Sequence, residues 1–75
     1  MYTLQHLKPG QRARVTRVHG EGPLRWRIME MGLTPGAEVR VGKVAPLGDP
    51  MEIRVRGYSL SLRRADAALV EVVRN

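Results

Sequence analysis

The sequence predicts a mainly β protein: a single domain, residues 1–75, with five short strands and one short α-helix between the first and second strands. Five runs alternate apolar and polar residues, which is typical of half-buried strands. Only one segment carries helix signals at both ends. Because so short a chain cannot protect open sheet edges, the strands are expected to close into a barrel. A five-stranded SH3-like barrel fits this pattern best; the nearest alternative is an OB-fold, whose helix normally comes later in the strand order.

The helix is predicted within residues 22–36. Pro23 suits the first helical position, where its missing N–H would have no partner. Gly32 suits the position after the last turn, which favours a left-handed backbone. Leu33 follows where such a helix end makes an apolar contact, and Pro35 with Gly36 forms an exit turn. These signals leave room for about two to three helical turns.

The predicted helix has two different faces when its residues are placed about 100° apart. Leu24, Ile28 and Met31 share the side expected to pack on the core. Trp26 projects to nearly the opposite side. Three interpretations remain open: the angle is inaccurate, an N-terminal segment covers the ring, or the ring is exposed and contacts a partner, as tryptophan often does at interfaces.

Each strand is predicted from its own alternating run, at residues 13–18, 37–41, 51–55, 58–62 and 68–73. The first two runs each follow a Leu-x-Pro-Gly turn. In or just after each run a later valine, Val18 or Val44, breaks the alternation and would point away from the core. Bulges are therefore expected near Thr16 and Arg17 and again at Gly42. Residues 45–50 are expected to form a loop, and residues 63–67 one turn of α-helix or 3-10 helix. The most buried side chains are expected to be Val15, Ile28, Met31, Val39, Val41, Ile53, Val55, Leu60, Leu62, Val70 and Val72.

The composition excludes several classes of protein. The chain has no cysteine, so disulfides and thiolate metal sites are excluded, and a reducing, cytoplasmic location is expected. No signal peptide and no apolar run of membrane-spanning length is present, so direct membrane insertion is not expected. Neither histidine lies in a nucleophile motif, and no glycine-rich phosphate loop occurs. We therefore expect neither an enzyme nor a bound cofactor.

A metal site has only weak candidates. His19, Glu21 and Glu30 offer nitrogen and oxygen donors suited to a divalent transition metal. Their spacing matches no established ligand pattern, so a solvated histidine and two solvated carboxylates are the expected state. We expect no specific metal site.

The formal charge of +6 indicates a partner of opposite sign: nucleic acid, anionic lipid or an acidic protein face. Basic residues lie in or beside the predicted strands all along the chain and form no single run, so nucleic acid is not the expected partner. Basic side chains on the polar side of a strand usually form a solvated face. Arg54 and Arg56, on one side of the same strand, are the best case for a local basic patch.

A series of short motifs runs from Leu7 to about Val72 and covers most of the chain. It comprises Leu7-x-Pro-Gly10, Leu24, Arg27-Ile28, Met31-Gly-Leu33, Pro35-Gly36, Pro46-Leu-Gly-Asp-Pro50, Arg56-Gly-Tyr58, Leu60-x-Leu62-Arg63, Ala67 and Val70-x-Val72. In this order and spacing the motifs resemble the FeoA family, small SH3-like-barrel proteins of bacterial ferrous iron uptake. Trp26 and Met29 lie outside the motif positions, so the resemblance implies nothing about them.

The resemblance implies an accessory role beside FeoB, a membrane transporter with a cytoplasmic GTPase domain. We expect the chain to bind that transporter, or another copy of itself, without carrying out chemistry. The predicted docking surface is an apolar patch of Trp26, Met29 and the exposed part of Leu33, rimmed by Arg25 and Arg27. A basic small-barrel protein that binds nucleic acid is the alternative.

Overall fold

The structure is a computed structural model that describes residues 1–75. The helix predicted between the first two strands is present, and the helical turn predicted at residues 63–67 is a second, four-residue helix. A 3-10 helix near the N-terminus was not predicted. In chain order the elements are the 3-10 helix (Leu4–His6), β1 (Arg12–Val18), α1 (Gly22–Glu30), β2 (Glu38–Val44), β3 (Met51–Val55), β4 (Tyr58–Leu62), α2 (Arg64–Ala67) and β5 (Val70–Arg74).

The five strands form one antiparallel sheet with the order β4-β3-β2-β1-β5. Its register shifts between Val15 and Arg17 in β1 and between Val41 and Val44 in β2, so both predicted bulges are confirmed. The protein measures 30 × 25 × 24 Å. A flat sheet with one packed face would be much thinner, since packed layers lie about 10 Å apart. The bulged strands therefore curl the sheet around its own core.

The two edge strands are β4 and β5, which do not pair with each other. The N-terminal segment covers part of the β5 edge: the Val72 N–H donates to the Tyr2 carbonyl over 2.9 Å, and Thr3 bridges to Glu71. The barrel is thus formed by the curvature of one sheet, which this segment extends beyond β5. This arrangement protects an edge that would otherwise offer unpaired backbone groups.

The two Leu-x-Pro-Gly turns have the same structure, as the sequence predicts. Gly10 has φ = +87° and Gly36 has φ = +93°, a region in which a Cβ atom would be strained. The Gly10 N–H donates to the Val41 carbonyl over 2.8 Å, and the Gly36 N–H donates to the Val15 carbonyl over 2.7 Å. The first turn therefore fixes the start of β1 against Val41 in β2. The second fixes the start of β2 against Val15 in β1.

The core is one cluster of 17 buried apolar residues. It contains nine of the side chains expected there, but Met31 and Leu60 are only half-buried. Met31 lies at the end of α1, and Leu60 lies in an edge strand, so each has solvent on one side. The sequence pattern missed Leu4 and Leu7 because the N-terminal segment has no apolar period; both are buried.

Candidate functional site

Helix α1 is held on the sheet by few apolar contacts. Ile28 is its only fully buried residue, with no exposed surface. Leu24, Met29 and Met31 are half-buried and pack against the core cluster. Because burial of an apolar face supplies most of a helix's stability in a protein, Ile28 is the main anchor of this short helix.

Two hydrogen bonds tether α1 to the sheet, one near each end. The Arg25 Nε–H donates to the Val18 carbonyl at the end of β1 over 3.0 Å. The Tyr58 hydroxyl of β4 donates to the Met31 carbonyl at the other end of the helix. Helix ends leave carbonyls without intrahelical partners, so the tyrosine satisfies one of them. These tethers fix the orientation of the helix relative to the sheet.

The end of α1 depends on Gly32, which has φ = +100°. The predicted left-handed residue after the helix is therefore confirmed. A Cβ atom at this position would also overlap the Tyr58 hydroxyl. Glycine at this position thus permits both the helix end and the close approach of the tyrosine.

Trp26 is exposed, with 63% of its surface accessible. It lies about 200° around the helix from the buried Ile28, at 100° per residue. The N-terminal segment does not cover it, because that segment pairs with β5 instead. The interpretation that the ring faces outward is confirmed. Arg27 and Glu30 are exposed on the same helix.

The rest of the predicted docking patch needs correction. Leu33 has no exposed surface, so the expectation that part of it contributes to an apolar patch is wrong. The chain turns inward at Gly32 and packs Leu33 into the core, in the apolar contact typical of such helix ends. Met29 is half-buried, and Arg25 is half-buried with its Nε bound to Val18. The helix surface that remains, called the Trp26 face below, consists of Trp26, Arg27 and the accessible part of Met29.

The three weak metal candidates do not form a cluster. The His19 Nε2 lies 2.7 Å from Oε1 of Glu71, in β5, and the pair fastens the end of β1 to that strand. Glu21 is the residue before α1 and Glu30 is its last residue, and both are exposed. No group of three or more histidine, aspartate or glutamate side chains is placed to hold a metal ion. The expectation that the protein retains no metal stays a prediction.

Sequence reasoning missed two of these roles. The tether from Tyr58 to α1 joins residues 27 positions apart, and the His19–Glu71 pair joins residues 52 positions apart. Neither is visible in local periodicity. The alternating run at residues 58–62 predicts the strand that Tyr58 begins, and the structure places the reversal before it at Arg56 and Gly57, which both have positive φ.

No helix of the structure combines the length and apolar character that a membrane span requires.

A family model for the FeoA domain matches residues 2–74 of the chain. Over 69 residues the chain is 46% identical to the Fe(2+) transport protein A/Fe(2+) transporter FeoB fusion protein of Porphyromonas gingivalis. That match covers 92% of this chain but only 8% of the relative, so the chain spans a small part of that protein's length.

Two solved structures share the fold along almost the whole chain. The NMR structure of a FeoA-like protein from Clostridium acetobutylicum has a TM-score of 0.90 and 36% identity, and the match covers 97% of this chain and 85% of that one. FeoA from Stenotrophomonas maltophilia, crystallised in complex with zinc and described as an SH3 domain protein, has a TM-score of 0.85 and 30% identity. Here the match covers 97% of this chain and 91% of that one. The predicted SH3-like barrel is confirmed.

Proposed function

The chain belongs to the FeoA family, and from this membership we propose that it is a cytoplasmic accessory protein of ferrous iron uptake that binds a FeoB-like membrane transporter. It acts by binding and not by catalysis. In this proposal ferrous iron is the cargo of the transporter and needs no site on the accessory protein. The docking surface is the Trp26 face.

The exposed Trp26 is the observation that carries the proposal. A large aromatic ring with 63% of its surface accessible offers apolar area that a partner can bury. Interface hot spots are enriched in tryptophan and arginine, and Arg27, the residue after Trp26, is also exposed. The tethers from Arg25 and Tyr58 hold the helix in place, so little order is lost when this surface binds.

The fused relative supports the choice of partner. In Porphyromonas gingivalis one chain combines transport protein A with the transporter FeoB. A covalent link keeps two domains at high effective concentration, which replaces part of the affinity that separate proteins need. In the present proposal the same contact forms between separate proteins, and the Trp26 face supplies the affinity.

The proposal is tested by measuring the affinity of the purified chain for the cytoplasmic portion of the FeoB-like transporter from the same organism. Isothermal titration calorimetry should detect binding by the wild-type chain. Trp26→Ala should weaken it by more than about 1 kcal/mol, roughly fivefold in Kd, because it removes the central aromatic ring. Its thermal stability should stay nearly unchanged, since the ring lies outside the core.

Leu47→Ala is the matched control, since Leu47 is also a large apolar residue, 94% exposed, but lies in the loop between β2 and β3. It should leave the affinity unchanged. Equal binding by wild type and Trp26→Ala would contradict the proposed docking surface. Loss of stability with intact binding would make Trp26 a structural residue. Concentration-dependent dimerisation that disappears in Trp26→Ala, without transporter binding, would instead assign the Trp26 face to self-association.

A further inference from the structure

Three arginines lie side by side across the outer face of the sheet. Arg12 in β1 pairs directly with Arg40 in β2, and Arg40 pairs directly with Arg54 in β3. Neighbouring strands are about 4.8 Å apart, so the three side chains start from a line about 10 Å long. Like charges directly opposite each other on neighbouring strands are destabilising. This arrangement costs stability in the isolated protein.

A groove of about 360 Å³ follows this line of arginines. Arg56 extends it beyond the end of β3, so the side chains that line the groove include four arginines and one acidic residue, Glu38. We call it the arginine groove. A concave surface with one sign of charge concentrates the electrostatic potential and attracts ligands of the opposite sign.

Most of this positive charge has no partner within the protein. Arg54 has the only ion pair among the four, a contact of 3.7 Å between its Nε and Oε1 of Glu52. Neither Arg12 nor Arg40 nor Arg56 forms an ion pair or a side-chain hydrogen bond in residues 1–75. Their guanidinium groups therefore keep their donors available for an external anion. Guanidinium groups bind carboxylates and phosphates through paired hydrogen bonds.

The residues that line the groove, and the short length of the line of arginines, favour an acidic protein segment over nucleic acid. Proteins that bind single strands combine a basic track with aromatic rings on which bases stack. Tyr58 is the one aromatic residue in this groove, so successive bases would have no series of rings on which to stack. The line of arginines is also short, about 10 Å, and does not form the long basic track that follows a nucleic-acid backbone.

We propose that the arginine groove binds a glutamate- or aspartate-rich segment of a protein partner. The groove is separate from the Trp26 face, and its test does not involve the transporter. Carboxylates of the segment supply the partners that Arg12, Arg40 and Arg56 lack within the protein, and they relieve the repulsion along the line of arginines. Because these contacts are exposed, the binding depends strongly on salt.

The test uses a fluorescein-labelled octapeptide of alternating glycine and glutamate, with fluorescence anisotropy at low and at physiological salt. The wild-type chain should bind it, and the same peptide with glutamine in place of glutamate should not bind. A triple variant, Arg12→Ala with Arg40→Ala and Arg54→Ala, should weaken binding by about tenfold or more, the sum of three exposed charge pairs. It should remain folded by circular dichroism, because it removes repulsion between neighbours.

The matched control removes three positive charges elsewhere: Lys8→Ala with Arg17→Ala and Lys43→Ala, all exposed and without ion pairs. It should change the affinity by less than about twofold. Trp26→Ala should also bind the peptide normally, which separates this inference from the proposed function. Equal losses in the two triple variants would show that net charge alone attracts the peptide, and this would overturn the inference. Tighter, groove-dependent binding of an eight-nucleotide thymidine strand would overturn it in favour of nucleic acid.

Discussion

Ile28→Ala is the substitution that most directly tests how α1 is held. Ile28 is the only residue of the helix without exposed surface, and it lies within the core cluster. The substitution removes about three methyl or methylene groups, each worth about 0.8 kcal/mol when buried, so the transfer term is about 2.4 kcal/mol. The cavity that remains adds to this, and the measured range for such truncations is about 2–5 kcal/mol.

We expect a loss of about 3–4 kcal/mol in the free energy of unfolding, because both terms apply at a fully buried site. At about 0.05–0.15 kcal/mol per residue, the total free energy of unfolding of a domain of this length is about 4–11 kcal/mol. The variant should therefore be close to the limit of stable folding. Urea titration followed by far-UV circular dichroism measures the change, and an unchanged slope would show that the unfolded reference state is the same.

Two variants of the same helix control this measurement. Ile28→Val removes one methyl group and should cost about 0.5–1.5 kcal/mol. Trp26→Ala removes a larger side chain from the exposed face and should change the stability by less than about 0.5 kcal/mol. A loss well under 1 kcal/mol for Ile28→Ala, or a larger loss for Trp26→Ala, would mean that the helix packs by another face.

Three further predictions follow from the end of the helix and from the ligand candidates. Tyr58→Phe should cost about 1 kcal/mol, because the Met31 carbonyl loses its donor, and unchanged urea midpoints would show that the tether contributes nothing. Gly32→Ala should cost more than about 1 kcal/mol, since its φ is positive and the new Cβ would meet the Tyr58 hydroxyl; a variant as stable as wild type would contradict that geometry. Dialysed protein should hold no stoichiometric iron or zinc by plasma mass spectrometry, whereas tight retention lost in His19→Ala would reveal a metal site.

Local patterns in the sequence predict most of the fold. The five alternating runs, the Pro23 and Gly32 helix signals and the off-phase valines at both bulges each report on neighbouring residues, and each has a steric or hydrogen-bonding cause. The same angular argument places Ile28 inward and Trp26 outward. These features needed no knowledge of how the strands pair.

The errors have a different cause. The burial of Leu33 and the tether from Tyr58 depend on which elements meet in space, and periodicity carries no information about that. The arginine groove is similar: Arg54 in β3 and Arg56 just after it are close in the chain, but Arg12 and Arg40 join them only through the strand register. A cross-strand cluster becomes visible only when the register is known.

The central claim, that the Trp26 face contacts a FeoB-like transporter, is tested most directly inside the native cell. A photoreactive benzoylphenylalanine placed at position 26 should, on irradiation, form a covalent product with the transporter, identified by mass spectrometry of the cross-linked band. The same amino acid at position 47, which is exposed but outside the helix, should give no such product. If position 26 yields no transporter product although the protein is present at its normal level, or if position 47 yields it equally well, the proposed docking surface is contradicted.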